Sequence, residues 1–287
     1  MASTPTPPPG QSRLLGTMDN LARWPWWLLL AILIALYIVY LILTDDQMQR
    51  TFWFISGQSA EGILGGEILF RGITVTLTVA IIAYVIALCI GLTLGLMRSS
   101  SNPILYNVAS FYVEIVRGIP MLVLLLYVAF ALTPVAVNGL AALGVPISTR
   151  DVPGEMRAVF ALALGYGAFS AEIFRAGIQS IEKGQYEAAR ALGMSYFQTM
   201  RYIVLPQAVR RVLPALGNDF IAIIKDSSLV AILGVQDMTQ LTRLYYSGNF
   251  LYMQSLTMLA FMYLILVVLL SRGVRYLETH LQYGHAR

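Results

Sequence analysis

The sequence predicts an all-α polytopic membrane protein with about six transmembrane helices. Hydrophobic residues make up 57% of the 287 residues and charged residues only 12%, whereas a soluble domain has roughly one quarter charged residues. Several apolar runs are long enough to cross a bilayer as helices. A polar segment that reads as two short helices interrupts these runs, and it is predicted to lie outside the membrane.

The chain begins with a proline-rich stretch at 1–23 that cannot bury a core, and we expect a flexible tail there. An apolar run at 26–43 starts with tryptophans and predicts the first span. A cleaved signal peptide is the alternative, but the run is longer than a signal core and no small-residue cleavage site follows it. Residues 44–66 are predicted to be an external segment that links the first span to the second. The other predicted spans are 72–97, 103–132, 156–181, 212–235 and 252–270. Gly91 and Gly95 in the second span have small-xxx-small spacing, which predicts close packing against a neighbouring helix.

Basic residues between the spans predict the orientation, because arginine and lysine are retained on the cytoplasmic side. They concentrate on the side that holds both termini, including the tail at 276–287, and the segment at 133–155 is then external. The net charge of +4 and the pI near 9.2 could suggest nucleic acid. The basic residues are dispersed at segment ends, however, and this argues against a nucleic-acid surface.

The polar segment at 183–206 carries clear helix start and stop signals. Gln185 to Leu192 are helix-forming residues, and Gly193 suits a left-handed C-terminal cap. Ser195 and Gln198 have capping-box spacing, so a second helix is predicted to start there and to end where Pro206 breaks it. An ordinary amphipathic cytoplasmic helix is the plain alternative.

This segment resembles the EAA loop of type I ABC importer permeases. The matching residues are Glu187, Ala188, Ala189, Gly193, Ile203, Leu205 and Pro206. Similarity to the branch that imports histidine, glutamine and basic amino acids extends over about 72–234. It is carried by Gly72, Thr76, Leu77, by 114–120, by 171–178 and by Asn218, Lys225, Asp226, Ser227, Ser228 and Leu229. The resemblance implies a transmembrane permease domain over 67–275, preceded by an additional first span within 24–66.

The resemblance also implies partners. These are two ABC ATPase subunits, a second permease subunit that is identical or paralogous, and an extracytoplasmic binding protein that delivers an amino acid. The implied location is the inner membrane of a prokaryote. The implied ATPase-docking residues are Gln185, Glu187, Ala188, Ala189, Leu192, Gly193 and Pro206.

Ionisable residues inside predicted spans are costly in hydrocarbon and are therefore candidates for a substrate pathway. Glu114 and Arg117, and likewise Glu172 and Arg175, are three residues apart and share a helix face. Such groups could hold the carboxylate and ammonium of a zwitterion, or they could pair among themselves. The substrate-pathway candidates are Glu114, Arg117, Glu172, Arg175, Asn218, Lys225 and Asp226.

Enzyme chemistry is not predicted. The only histidines are His280 and His285, and the single cysteine, Cys89, lies in an apolar run, so no catalytic residue, metal site or cofactor is predicted for this chain. No Gly-x-x-x-x-Gly-Lys-[Ser/Thr] phosphate loop occurs, so ATP and magnesium are expected on the partner ATPases. A proton-coupled secondary amino acid transporter is the alternative function, because intramembrane carboxylates can relay protons.

Overall fold

The computed structural model describes residues 26–56 and 67–283, and nearly all of them are helical. The α-helices, numbered in chain order, are α1 Trp26–Thr44, α2 Asp46–Ser56, α3 Ile73–Arg98, α4 Pro103–Gly118, α5 Met121–Tyr127, α6 Thr133–Ala142, α7 Gly154–Gln179, α8 Lys183–Ala191, α9 Tyr196–Thr199, α10 Leu205–Asp226, α11 Met238–Asn249 and α12 Tyr252–Tyr283. Three π-helical segments, Glu67–Gly72, Val128–Leu132 and Met200–Val204, and the 3-10 turns Thr149–Asp151 and Ser227–Leu233 join some of them.

Four helical stretches of the described part are long and apolar enough to cross a membrane. They are Phe70–Arg98, Met121–Ala142, Gly154–Gln179 and Tyr252–Leu277. A bent pair, Ile32–Thr44 with Asp46–Ser56, would make a fifth if it counts as one span. The chain is therefore a helical membrane protein, while the count of six spans stays a prediction.

The first predicted span forms the helix α1, and residues 46–56 form a helix that the sequence did not indicate. Residues 1–25 and 57–66, which hold the predicted tail and the rest of the predicted external segment 44–66, lie outside the described residues. The chain turns by 101° between α1 and α2. Asp45 stabilises the start of α2, where its carboxylate accepts a hydrogen bond from the Met48 backbone nitrogen at 2.7 Å. Such side-chain caps satisfy the backbone donors that a helix leaves free at its N-terminus.

The helices α3 and α7 form the centre of the fold, and small residues let them approach closely. A Cβ atom added to Gly91 would lie 2.5 Å from the Ser170 Cβ, and one added to Gly95 would lie 2.8 Å from the Phe174 Cβ. The predicted small-xxx-small contact of Gly91 and Gly95 is thus confirmed, with α7 as the partner. The largest part of the buried core lies along the same two helices and is mainly Ala, Leu and Val of α3, α5 and α7, together with Ile223 and Ile224 of α10.

The third predicted span, 103–132, was wrong in its boundaries. Helix α4 ends at Gly118, and Ile119 is extended with φ −97° and ψ 130°, the conformation that a following proline imposes. The apolar span is instead Met121–Ala142, so the first ten residues of the predicted external segment 133–155 are helical. Tyr112 attaches α4 to the middle of α7 by donating a hydrogen bond to the Leu164 carbonyl at 2.9 Å.

The fifth predicted span, 212–235, is also divided. Helix α10 ends at Asp226, and a 3-10 turn then runs to Leu233. Gly234 ends that turn in the left-handed region, with φ 77°, where a residue without a Cβ is favoured. The charged groups of α10 keep it outside the set of helices that qualify as spans by composition.

Candidate functional site

The polar segment forms a corner between two helices, as its sequence predicted. Helix α8 ends at Ala191, and Gly193 has φ 76°. The Gly193 nitrogen donates to the Arg190 carbonyl at 3.0 Å and the Met194 nitrogen donates to the Ala189 carbonyl at 3.1 Å. This pair of bonds is a Schellman motif, so the glycine is required by backbone geometry. We call residues 183–206 the connector.

The second half of the connector starts with the predicted capping box. The Ser195 nitrogen donates to the Gln198 side-chain oxygen at 2.8 Å, and the Gln198 nitrogen donates to the Ser195 hydroxyl at 3.3 Å. The backbone N–H groups of Ser195 and Gln198 are thus each satisfied by the side chain of the other residue. The corner is fixed by local hydrogen bonds on each side of Gly193.

The prediction that Pro206 ends the second helix was wrong. Helix α9 continues through the π-helical segment Met200–Val204 into α10, and Pro206 lies in the first turn of α10. A proline inside a helix clashes with the carbonyl four residues earlier and lacks a donor. The wider π turn just before Pro206 changes the hydrogen-bond register there, so the chain stays helical from Tyr196 to Asp226.

Most of the predicted docking residues lie on the surface of the connector. Leu192 is 82% exposed, and Gln185, Glu187, Ala188, Gly193 and Pro206 are also exposed. Ala189 differs, because it is only 3% exposed and packs inside the chain. Gln207 reaches back from α10 and donates to the Gln185 side-chain oxygen at 3.2 Å, which links the two sides of the corner.

A cluster of charged side chains lies beside the end of α7. The Glu172 carboxylate is 2.5 Å from the Arg98 guanidinium and also forms an ion pair with Arg175. Arg117 approaches the same carboxylate at 4.0 Å, and its guanidinium lies 5.5 Å from the centre of the Phe169 ring. One carboxylate therefore faces three cations, which leaves an excess of positive charge.

The two predicted pairs behave differently. Glu172 and Arg175 pair with each other, as their spacing suggests. Arg117 turns to Glu172 on another helix, and Glu114 is exposed without an ion pair inside the part of the chain that the structure covers. Arg117 is 43% exposed against 10% for Arg98 and 27% for Arg175. Arg117 is thus the cation of this cluster that is most accessible from outside the chain.

Helix α10 presents two polar faces. Asn218 and Lys225 are exposed and seven residues apart, on the same face as the exposed Ala215 and Arg211. Asp226 lies on the face that packs against α7 and accepts a hydrogen bond from the Tyr166 hydroxyl at 2.9 Å.

A cavity of about 460 Å³ separates the exposed face of α10 from the charged cluster. It is lined by Glu172, Ala176, Ser180, Arg211 and Ala215, among others. Arg211 donates to the Ser180 carbonyl and so joins α10 to the end of α7. The structure therefore brings together Arg117, Glu172 and Arg175, places Asn218 and Lys225 along one exposed face, and leaves Glu114 and Asp226 outside the cluster.

Comparison with known proteins places this arrangement in a family. Residues 87–283 match the family described as binding-protein-dependent transport system inner membrane component, and this range covers more than half of the chain. The chain belongs to this family. The permease is 36% identical over 215 residues to the glutamine transport system permease protein GlnP of Escherichia coli strain K12, covering 75% of this chain and 93% of GlnP.

Solved structures agree with this family assignment. An amino acid ABC transporter crystallised with histidines matches the permease with a TM-score of 0.63 and 36% identity, over 75% of this chain and 94% of that one. A bacterial alginate ABC transporter matches with a TM-score of 0.63 and 18% identity, over 93% of this chain and 99% of that one, which shows the fold alone. The fold is that of type I ABC importer permeases, and these relatives lend no support to the proton-coupled alternative.

The sequence did not identify Arg98 as a member of the charged cluster. In the sequence it follows the predicted span 72–97 as one of the dispersed basic residues, and its partner Glu172 is 74 residues away. The hydroxyl partners of the α10 carboxylates were also missed. They are Tyr166, which binds Asp226, and Ser170, which donates to Asp219 at 3.0 Å. No spacing in the sequence relates these residues, because the contacts join different helices.

Proposed function

We propose that this permease forms the membrane conduit of an ATP-driven amino acid importer, in which a second permease subunit completes the conduit and an extracytoplasmic protein delivers the substrate. The names of the similar proteins support amino acids as the substrate class. In this proposal the chain lies in the bacterial inner membrane with both termini in the cytoplasm.

The observation that carries this proposal is the continuity between the connector and the polar face of α10. The chain is helical from Tyr196, inside the connector, to Asp226. A rigid helix transmits a displacement of one end to the other, and a conformational change needs such a contiguous element between two sites. Movement of the connector would therefore shift Asn218 and Lys225 together.

The exposed residues of the connector are the proposed docking surface for ATPase subunits. Glu187, Ala188, Leu192, Gln185 and Pro206 supply its surface, while Gly193 sets the corner and Ala189 anchors α8 from inside. ATP and magnesium would be bound by the ATPases and not by this chain. The permease contributes no chemical step, and its role is to couple ATP-driven closure of the ATPases to opening of the conduit.

The charged cluster and the exposed face of α10 are the proposed lining of the substrate pathway. Arg117 is the accessible cation of a cluster with excess positive charge, so it is suited to the substrate carboxylate. Glu114 lies one turn away on the exposed side of α4 and can accept hydrogen bonds from an ammonium group. Glu172 and Arg175 hold each other, and they position Arg117 and do not bind substrate themselves. Asn218 and Lys225 complete the lining, and Asp226 braces α10 against α7 through Tyr166.

The proposal is tested with the permease, its ATPase and its binding protein reconstituted in vesicles. Uptake of radiolabelled amino acid should require ATP and all components, and a proton gradient alone should drive none. Arg117→Ala and Lys225→Ala should each lower the uptake rate by about tenfold or more, because each removes a charge-assisted contact. ATPase copurification should stay at the level of the unchanged permease.

Arg275→Ala is the matched control, because Arg275 is an exposed arginine near the end of α12 and outside the proposed lining. It should transport normally. Uptake driven by a proton gradient without ATPases would refute the coupling. Normal uptake by both Arg117→Ala and Lys225→Ala would refute the assigned pathway while leaving the coupling intact.

A further inference from the structure

A second groove, of about 450 Å³, lies on the outside of the connector, where α3 ends and α4 begins. It is lined by Leu96, Leu105, Phe197 and Met200, and also by Ser100 and Arg201. No residue of the charged cluster lines it. The groove therefore lies outside the proposed transport path.

The position of the groove is at a membrane boundary. The apolar span Phe70–Arg98 ends beside it, so Leu96 belongs to the last apolar turn and Ser100 lies just beyond it. Phe197 is 69% exposed, although it sits in a polar connector. Tyr196, which also lines the groove, is 61% exposed, and tyrosine at the end of a span is typical of the layer where lipid headgroups meet water.

The lining of the groove is amphiphilic. Leucine, methionine and phenylalanine side chains form one part, while Arg201 adds a guanidinium group. Arg201 is exposed, and its guanidinium lies 5.8 Å from the centre of the Tyr202 ring. A basic group beside the membrane surface attracts anionic headgroups. A ligand that satisfies both parts needs an acyl chain and a negative charge.

We propose that this groove binds one anionic phospholipid, with an acyl chain against Leu96, Leu105 and Phe197 and its phosphate at Arg201. The site bears on the connector, because Met200 and Leu205 belong both to the groove and to the cluster that packs the connector against Ile178 and Ile181. The bound lipid supports the π-helical segment Met200–Val204 from the membrane side. The site is separate from the proposed substrate pathway, since no residue of the charged cluster lines it.

The test uses the full-length permease in nanodiscs of phosphatidylcholine with added phosphatidylglycerol, followed by native mass spectrometry. We expect one phosphatidylglycerol to be retained per chain. Arg201→Gln should lower this retention by about fivefold, the effect of removing one basic residue at a membrane surface. Leu105→Trp should lower it similarly by filling the groove without a change in charge.

Arg275→Gln is the matched control, since it removes an exposed arginine near the end of another span and should leave retention unchanged. Thermal unfolding of each variant verifies that the chain is folded, and Arg201→Gln, a surface change, carries the test if Leu105→Trp does not fold. Unchanged retention in Arg201→Gln would overturn the proposal.

Two further results would also overturn it. Competition by glycerol phosphate at the affinity of the intact lipid would mean that the groove recognises a free phosphate. Loss of the lipid when the ATPase is added would mean that a protein surface occupies the groove. Because the measurement needs neither ATP nor transport, a failure of the proposed function would leave its result unaffected.

Discussion

Arg98 forms an ion pair with Glu172 across two helices, with 2.5 Å between guanidinium and carboxylate. Arg98 is the last residue of α3 and is 10% exposed, and its Nε donates to the Ser110 hydroxyl of α4 at 3.2 Å. One arginine therefore holds α3, α4 and α7 together at the end where α7 leads into the connector. Glu172 is the shared partner, since Arg175 and Arg117 approach it as well.

Because three arginines share Glu172, we expect the removal of Glu172 and the removal of Arg98 to change the stability of the chain by unequal amounts. Glu172→Gln leaves three guanidinium groups close together without their counter-ion, and we expect the free energy of unfolding to fall by about 3 kcal/mol. Arg98→Gln leaves Glu172 paired with Arg175, and we expect a loss of about 1 kcal/mol. Denaturant unfolding of the purified permease in detergent measures both. A larger loss for Arg98→Gln than for Glu172→Gln would contradict the shared-partner arrangement.

The close approach of α3 and α7 predicts a strong effect of one added methyl group. Gly91→Ala places a Cβ 2.5 Å from the Ser170 Cβ and 3.0 Å from the Ser170 backbone. The helices must then move apart, at a cost of about 1–3 kcal/mol. Gly139→Ala on α6 is the control, because no atom lies within 4 Å of its added Cβ. The thermal unfolding temperature should fall clearly for Gly91→Ala and should not fall for Gly139→Ala.

The sequence predicted those parts of the fold that depend on neighbouring residues. Gly193, Ser195 and Gln198 determine the connector corner through bonds that span a few residues, and Gly91 and Gly95 mark a close helix contact by their spacing. The ion pair of Arg98 with Glu172 joins residues 74 positions apart, and no local pattern encodes such a contact.

Pro206 shows a different reason for a wrong prediction. The rule that proline breaks a helix assumes regular α-helical hydrogen bonds before it. The π-helical segment Met200–Val204 removes that assumption, and its formation depends on the packing of Met200 and Val204 against Ile178 and Ile181. Tertiary packing therefore decided where the helix ends, and the sequence of the connector alone did not.

The positive φ of Gly193 predicts which substitutions the connector tolerates. Gly193→Val puts a β-branched residue at φ 76°, and we expect ATPase copurification and ATP-dependent uptake to fall because the corner is distorted at a cost of about 1–2 kcal/mol. Gly193→Asn is the matched variant, since asparagine adopts this region more readily. It should keep most of the activity. Normal coupling in Gly193→Val would show that the corner is not needed for docking.

The burial of the Asp237 carboxyl group predicts that the stability of the chain depends on pH. It is fully buried at the start of α11, where its carboxylate accepts a hydrogen bond from the Gln240 nitrogen at 2.8 Å and one from the Tyr263 hydroxyl at 3.4 Å. Burial raises the pKa of Asp237 from its ordinary value of 3.8 to about 6, although these hydrogen bonds oppose the shift. The folded chain therefore holds this proton more tightly than the unfolded chain does.

The sign of the effect follows from that difference in pKa. The contribution of Asp237 to stability is fully present below about pH 4 and is lost as the pH rises to about 6, with a total change of about 3 kcal/mol. Asp237→Asn keeps a capping side chain and cannot ionise, so it should be more stable than the unchanged permease at pH 7 and similar to it near pH 4. Asp237→Ala also lacks the charge but loses the cap, worth about 1 kcal/mol, and should be less stable than Asp237→Asn at every pH. Thermal unfolding between about pH 4 and 7 compares the three chains, and an equal pH dependence for Asp237→Asn and the unchanged chain would show that another group titrates.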